Sequence, residues 1–190
     1  MPLEELLQEL EALGVQHDAT ENEKSKKLLN ITRDTGEFLA VLVKSAKAEQ
    51  ILEIGTSNGY STLWLASAIP ESGKVVTVEK LSDKAEMAAE NFVRAELQDR
   101  IVQVQADAED FIRDSQQIFD FIFLDADRTA YLSYIDVLLS KLSSGGVLVC
   151  DNAISHRHEL EDFMAYLSNK DTLTSCLLPV GKGEFVVHKA

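Results

Sequence analysis

The sequence predicts an α/β fold, a doubly wound, mostly parallel sheet of seven strands with helices on both faces. Three observations carry this reading. From residue 50 onward, short apolar runs alternate with stretches of helical spacing. Those runs are almost continuously apolar, the pattern of strands buried on both faces. The last two runs are joined only by LLPVGKGE, too short for a crossover helix, so they pair antiparallel at the sheet edge.

Leu3, Leu6, Leu7, Leu10 and Leu13 open the chain at helical spacing, and Gly14 is the expected stop. Thr20 and Glu23 form a capping-box pattern that predicts a second helix. A third, over 34–47, offers Phe38, Leu39, Leu42 and Val43 as its inner face. Strands follow at 51–54, 75–79, 101–105, 119–124, 146–151 and 184–188, with a weaker one near 173–178. Between them lie helical stretches near 60–69, 82–96, 107–115, 129–140 and 156–168. No repeat or linker interrupts the pattern. A single domain over 1–190 is expected, helical over 1–47 and sheet-bearing over 50–190.

Composition narrows the function. With 190 residues, 45% of them hydrophobic, one domain buries roughly 70% of its extended-chain surface without staples. A net charge of −14 excludes the basic footprint that nucleic acid requires. Cys150 and Cys176 both lie in apolar runs and read as small buried hydrophobes of a reducing compartment. No signal-peptide pattern opens the chain, and no apolar run approaches the roughly 18 residues of a membrane span. The expectation is a soluble cytoplasmic protein with neither nucleic-acid nor membrane partners.

Residues 51–61, ILEIGTSNGYS, carry the most chemistry. An apolar strand enters a turn bounded by Gly55 and Gly59, and helical spacing resumes at Tyr60. Such a turn aims backbone N–H groups and a helix dipole at a ligand. In a doubly wound sheet, ligands bind beyond the carboxyl ends of the strands. The polar residues there are Glu53, Glu79, Asp107, Asp125 and the pair Asp151–Asn152. Any one of these acids could merely cap the next helix; all of them on one edge argue for a site. Glu79 stands where an acid accepts hydrogen bonds from ribose hydroxyls. The turn lacks the third glycine of a dinucleotide fingerprint, so a ribose-bearing ligand without a pyrophosphate fits better, S-adenosylmethionine above all.

Two other readings of this turn compete, a serine hydrolase and a turn with no ligand at all. Gly55–Gly59 satisfies G-x-S-x-G, the nucleophile elbow of serine hydrolases, with Ser57 as nucleophile. Against this, the first strand has no predecessor to supply an oxyanion loop. Asp125, Asp151 and Asn152 end adjacent strands and make an all-oxygen set suited to Mg²⁺ or Ca²⁺. They could equally start a turn and cap the helix near Ser155.

Together EIGTSNGYSTLWLA, Glu79, FLDADRTAY (123–131) and CDN (150–152) resemble the cation-dependent class I S-adenosylmethionine-dependent O-methyltransferases, the catechol and caffeoyl-coenzyme A enzymes and small bacterial relatives. The resemblance runs from about Thr35 to the C-terminus and implies a Rossmann-like fold. It implies that Glu53, Gly55, Ser57 and Gly59 cradle the methionine side of the donor. Ser61 would hold the donor's carboxylate, Glu79 its ribose, and Asp107 and Ala108 its adenine, with Asp125 also facing the donor. Asp125, Asp151 and Asn152 map onto the metal ligands. The implied reaction is methyl transfer to a hydroxyl of a small, aromatic acceptor; the alternative is a donor-binding protein with other or no acceptor chemistry. Arg128 occupies the place of the lysine often assigned as the base; a guanidinium stays protonated and cannot take that role, which leaves it to pair with an anionic substrate or steady a developing phenolate, with Asp125 the other catalytic candidate. The aromatic-containing loop that follows D-N in longer relatives is missing, and the N-terminal helices match only loosely. The resemblance also implies a homodimer, with the leucine-rich first helix as one face, although packing on its own domain explains that helix more simply.

Overall fold

The seven strands are β1 (Gln50–Ile54), β2 (Lys74–Glu79), β3 (Ile101–Gln105), β4 (Phe119–Leu124), β5 (Leu142–Cys150), β6 (Leu173–Leu178) and β7 (Glu184–Lys189), in a computed structural model that describes residues 1–190. They form one sheet in the order β3-β2-β1-β4-β5-β7-β6. The first five run parallel, and β7 pairs antiparallel with both β5 and β6. The antiparallel edge arises as expected, because Pro179–Gly183 leave no room for a crossover.

Seven α-helices accompany the sheet: α1 (Leu3–Thr20), α2 (Arg33–Ala46), α3 (Tyr60–Ala68), α4 (Ser82–Arg94), α5 (Ala108–Asp114), α6 (Tyr131–Lys141) and α7 (Arg157–Ser168). Strand residues alternate between two cores. Leu52, Ile54, Ile122 and Leu124 join Tyr131, Leu138 and Phe163 on the face covered by α5, α6 and α7. Ile51, Phe121, Phe123 and Val149 join Leu10, Leu39, Leu63 and Phe92 on the face covered by α1 to α4. None of the helices is long and apolar enough to cross a membrane.

Three expectations fail at particular residues. Gly14 does not end the first helix, which continues to Thr20. The glycine is a packing gap instead: a Cβ there would lie 2.6 Å from Asn30 Nδ2, which donates to the Leu10 carbonyl at 3.0 Å. Thr20 and Glu23 open no second helix. The Thr20 hydroxyl donates back to the His17 carbonyl, closing α1, and only a 3-10 turn, Lys24–Lys26, follows. Cys150 is buried as expected, but Cys176 is exposed on the edge strand. Leu6, Leu7 and Leu10 of α1 are spent on the domain's own core.

Residues 21–32 therefore form an extended strap over the sheet's carboxyl edge. The Asp18 carboxylate receives the Leu28 and Leu29 N–H groups at 2.7 and 2.8 Å. Lys84 donates to the Lys27 carbonyl at 2.7 Å, and Ser57 Oγ donates to the Leu28 carbonyl at 2.7 Å.

Glu53 is the one fully buried acid of β1. Its carboxyl accepts hydroxyl bonds from Ser61 (2.5 Å), Thr62 (2.5 Å) and Thr77 (2.6 Å), tying the first turn of α3 and strand β2 to β1. Burial pushes it up to about 7, against the pull of those hydroxyls. In the unfolded chain it titrates near 4.5. The unfolded state thus releases its proton first, and Glu53 costs stability as pH rises from the lower value to the higher. Glu53→Gln does not titrate. Its stability relative to the native protein is expected to climb by up to about 3 kcal/mol across that window, read by urea denaturation at the two ends.

Candidate active site

The carboxyl ends of the central strands stay in register by one further backbone bond each. Gly55 N–H donates to Val78 O (3.0 Å), Asp125 N–H to Ile54 O (2.9 Å), Asp151 N–H to Leu124 O (3.1 Å) and Ala106 N–H to Glu79 O (3.0 Å). The residues that follow the strands are thereby set side by side along one edge. Gly55 must be glycine: its φ is +102°, and a Cβ would run into the Asp125 carbonyl.

A cavity of about 830 Å³ opens along this edge. Gly55, Ser57, Ser61, Glu79, Asp107 and Ala108 line one part of it, and Asp125, Arg128 and Asn152 the other. The strap supplies Leu28 to Ile31 on the opposite wall. Three of the sequence-predicted residues do not reach it. Glu53 sits behind the turn with all its contacts to hydroxyls. Gly59, at φ +85°, lets α4 close in, since a Cβ would lie 2.5 Å from the Phe92 ring. Asp151 is buried behind Asn152.

Glu79 is built as an acceptor. Ser57 N–H reaches one oxygen at 2.9 Å, and Lys80 and Leu81 N–H reach the other at 3.0 Å each. Three backbone donors thus fix a carboxylate that faces the cavity. Asp107 does cap its helix, taking the Glu109 N–H at 3.0 Å, while its other oxygen pairs with Lys80 at 3.1 Å. Ser57 Oγ is committed to the Leu28 carbonyl and has no hydrogen-bonded histidine. The base a nucleophilic serine needs is not there.

Buried polar atoms without partners point to what the cavity holds. Asn58 Nδ2, the Tyr60 hydroxyl and Asn30 Oδ1 are buried, unpaired and belong to lining residues. Donors and an acceptor grouped so suit a zwitterion, such as the amino-acid end of a methyl donor. Sequence reading missed Asn30 and Tyr60 because nothing in a strap or an apolar helix start marks a ligand.

At the other end, Asn152 Nδ2 donates to Asp125 Oδ1 at 3.2 Å and to Asp151 Oδ2 at 2.9 Å. Asn152 has φ +66°, and its N–H is held by Asp151 Oδ1 at 2.6 Å. The helix after it starts at Arg157, with no side-chain cap, so Asp151 and Asn152 do not serve as caps. Burial, then repulsion from Asp151, drives the Asp125 carboxyl well above the usual range, and burial also raises Asp151. Two converging carboxylates with raised proton affinity, beside an amide whose oxygen a half-turn would present, suit a hard cation. Nowhere in the chain, this end of the cavity included, do three His, Cys, Asp or Glu side chains gather into a metal-binding cluster, so Asn152 has to complete the set. Glu184 lies against the pair from below, fully buried. Thr35 donates to it at 2.8 Å, and burial followed by repulsion from Asp151 raises it to about 9.

Arg128 is half-buried, and its Nε donates to Glu159 at 2.7 Å. That pair ties the 3-10 turn Arg128–Ala130 to α7. The turn is further held by Asp127, which caps Thr129 at 3.1 Å, and by the buried Tyr131 oxygen, which accepts the Ala126 N–H at 2.7 Å.

An O-methyltransferase family model matches residues 3–190. A caffeoyl-CoA O-methyltransferase of Populus kitakamiensis is 34% identical over 131 residues, 66% of this chain and 56% of that protein. A catechol O-methyltransferase of Niastella koreensis is 33% identical over 138 residues, 70% of this chain and 62% of that protein. The matched stretches thus span less than two thirds of these relatives. Among solved structures, the Bacillus cereus O-methyltransferase in complex with SAH superposes with a TM-score of 0.83 at 26% identity, covering 98% of this chain and 91% of that one. TomG of Streptomyces achromogenes, in complex with SAM, gives 0.78 at 25% identity, covering 94% and 96%. With the whole of its sheet and cavity inside the matched region, the chain belongs to the O-methyltransferase family.

Proposed function

We propose that this protein transfers the methyl group of S-adenosylmethionine to a hydroxyl of a small, aromatic acceptor, assisted by a divalent cation. One observation carries the reading: a single cavity runs from the acceptor-built carboxylate of Glu79 to the oxygen set at Asp125 and Asn152. Solved relatives bound to SAH and SAM support the donor. The names of the curated relatives support hydroxyl acceptors on aromatic or catechol molecules. A homodimer, expected from the family resemblance, and a cytoplasmic location, expected from the composition, belong to the same reading.

In this reading Glu79 accepts the donor's ribose hydroxyls, and Asn58, Tyr60, Ser61 and Asn30 take its amino-acid end. Gly55 and Ser57 give the close backbone approach, while Asp107 and Ala108 flank the adenine. Asp125 sits between the two ends, and with Asp151 and Asn152 it would hold Mg²⁺ or Ca²⁺. Such an ion supplies a lowered pKa and a fixed direction for the acceptor hydroxyl. Arg128 stays charged and removes no proton. Paired with Glu159, it fixes the wall beside the acceptor and favours a developing oxyanion there. Orientation of the two reactants within the cavity is the main source of rate. That pairing also favours a second reading, donor binding with other acceptor chemistry. It predicts donor affinity but no turnover on a catechol and flavonoid panel with Mg²⁺.

The first reading is tested at the donor and at the cation. S-adenosylhomocysteine at a hundred times its Kd should stabilise the protein by about 2.7 kcal/mol in a thermal-shift assay. Glu79→Ala should weaken donor binding about 10- to 100-fold, because a charge-assisted acceptor is lost; no shift at millimolar ligand removes the donor assignment. Chelator and Asp125→Asn should each abolish methylation of a catechol panel while Asp125→Asn keeps donor affinity within about threefold. Turnover that survives chelation removes the cation from the reaction.

A further inference from the structure

Lys182 sits in the turn between β6 and β7, at the acceptor end of the cavity. Its backbone is fixed from two sides. The Lys182 carbonyl accepts the Ile154 and Ser155 N–H groups at 3.2 and 3.0 Å, and the Gly183 carbonyl accepts that of Ala153 at 2.8 Å. A Cβ at Gly183 would lie 2.5 Å from Ile154, and one at Gly181 would collide with Thr35 and Thr32. The turn and the segment that carries Asn152 are therefore one rigid piece. Lys182 is held in a set relation to the acidic pair.

Its side chain is half-buried, faces the cavity that Asp125 and Asn152 line, and forms none of the chain's ion pairs. The neighbouring cation, Arg128, is already committed to Glu159. Of the chain's cations Lys182 acts most strongly on Asp125 and Asp151, ahead of Arg128. A cavity-lining ammonium without an ion pair, on the wall that Asp125 and Asn152 share, calls for an explanation, since an uncompensated charge is costly to bury.

We infer that Lys182 is the resident cation of the Asp125–Asp151 pair, balancing it in the metal-free protein and opposing any divalent ion that enters. The inference rests on the cation-holding reading of Asp125, Asp151 and Asn152 given above. It makes Lys182 a positioning residue whose charge sets how tightly the site takes a metal. Removing that charge adds no ligand, yet it should strengthen binding.

The test is calorimetric titration of Mn²⁺ into the metal-free native protein, Lys182→Met and Lys182→Arg at low salt. Lys182→Met is expected to bind at least about tenfold more tightly, the scale set by one partly buried unit charge. Lys182→Arg, which keeps the charge, should stay within about threefold of native. Asp125→Asn placed in the Lys182→Met background should lose the binding. Equal or weaker binding by Lys182→Met overturns this inference alone, as does equal tightening by Lys182→Arg. Mn²⁺ uptake that ignores Asp125→Asn overturns the cation-holding reading as well. Absence of Mn²⁺ binding by all of them overturns the cation-holding reading together with it.

Discussion

The parallel register of β2, β1, β4 and β5 is the constraint on which the rest depends. Ile54 is level with Val78 and Leu124, and Leu124 with Cys150. One more ladder bond beyond each strand then delivers Gly55, Asp125 and Asp151 to the same edge. A slip of one residue would turn both aspartate side chains to the opposite face. The apolar alternation forbids it, because Leu52 and Ile122 face one core while Ile51 and Phe121 face the other. The chemistry of the edge is thus enforced by burial some distance away. Gly55 adds the local condition, since only a residue without Cβ lets the turn pass the Asp125 carbonyl.

The same edge gathers negative charge in a protein already at −14. The fold handles each acid differently. Glu79 receives three backbone N–H groups, and Asp107 a helix-cap N–H and the Lys80 ammonium. Glu53 is surrounded by hydroxyls and is driven toward its neutral form by burial. Asp125 and Asp151 have only an amide between them. That gradation separates roles within one row. Carboxylates fixed by backbone donors suit hydroxyl groups of a ligand, whereas a poorly compensated pair suits a cation.

Strands, their order of burial and the residues at their ends were legible because near-continuous apolar runs and glycine turns leave a local signature. The Gly55 turn, Glu79, Asp125 and Asn152 lie where the sequence placed them, facing a common cavity. Glu53 was legible as a strand-end acid but not as a buried one. Its direction depends on Ser61, Thr62 and Thr77, which come from two other elements. Gly14 and the Thr20–Glu23 pattern misled for a related reason. A glycine marks either a helix end or a close approach, and only Asn30, packed against it from the strap, decides between them. The strap itself is held by backbone carbonyls and by Asp18, which no periodicity reports. Cys176 shows the converse limit: an apolar run on an edge strand still turns alternate side chains to solvent.

The V-G-K-G-E turn concentrates what a sequence pattern conceals. Its two glycines look like ordinary hairpin punctuation, yet both are required by contacts with distant segments, Thr32 and Thr35 on one side and Ile154 on the other. The lysine between them looks like a solvated turn residue but faces the cavity, and the glutamate after it is fully buried against Asp151. Hence α2, the antiparallel edge and the Asp151–Asn152 segment meet at one turn, which acts as a clamp for the acidic pair. A hairpin added at the edge of a parallel sheet here does more than satisfy the open side of β5. It carries a positive charge back to the point where β4 and β5 each leave a carboxylate.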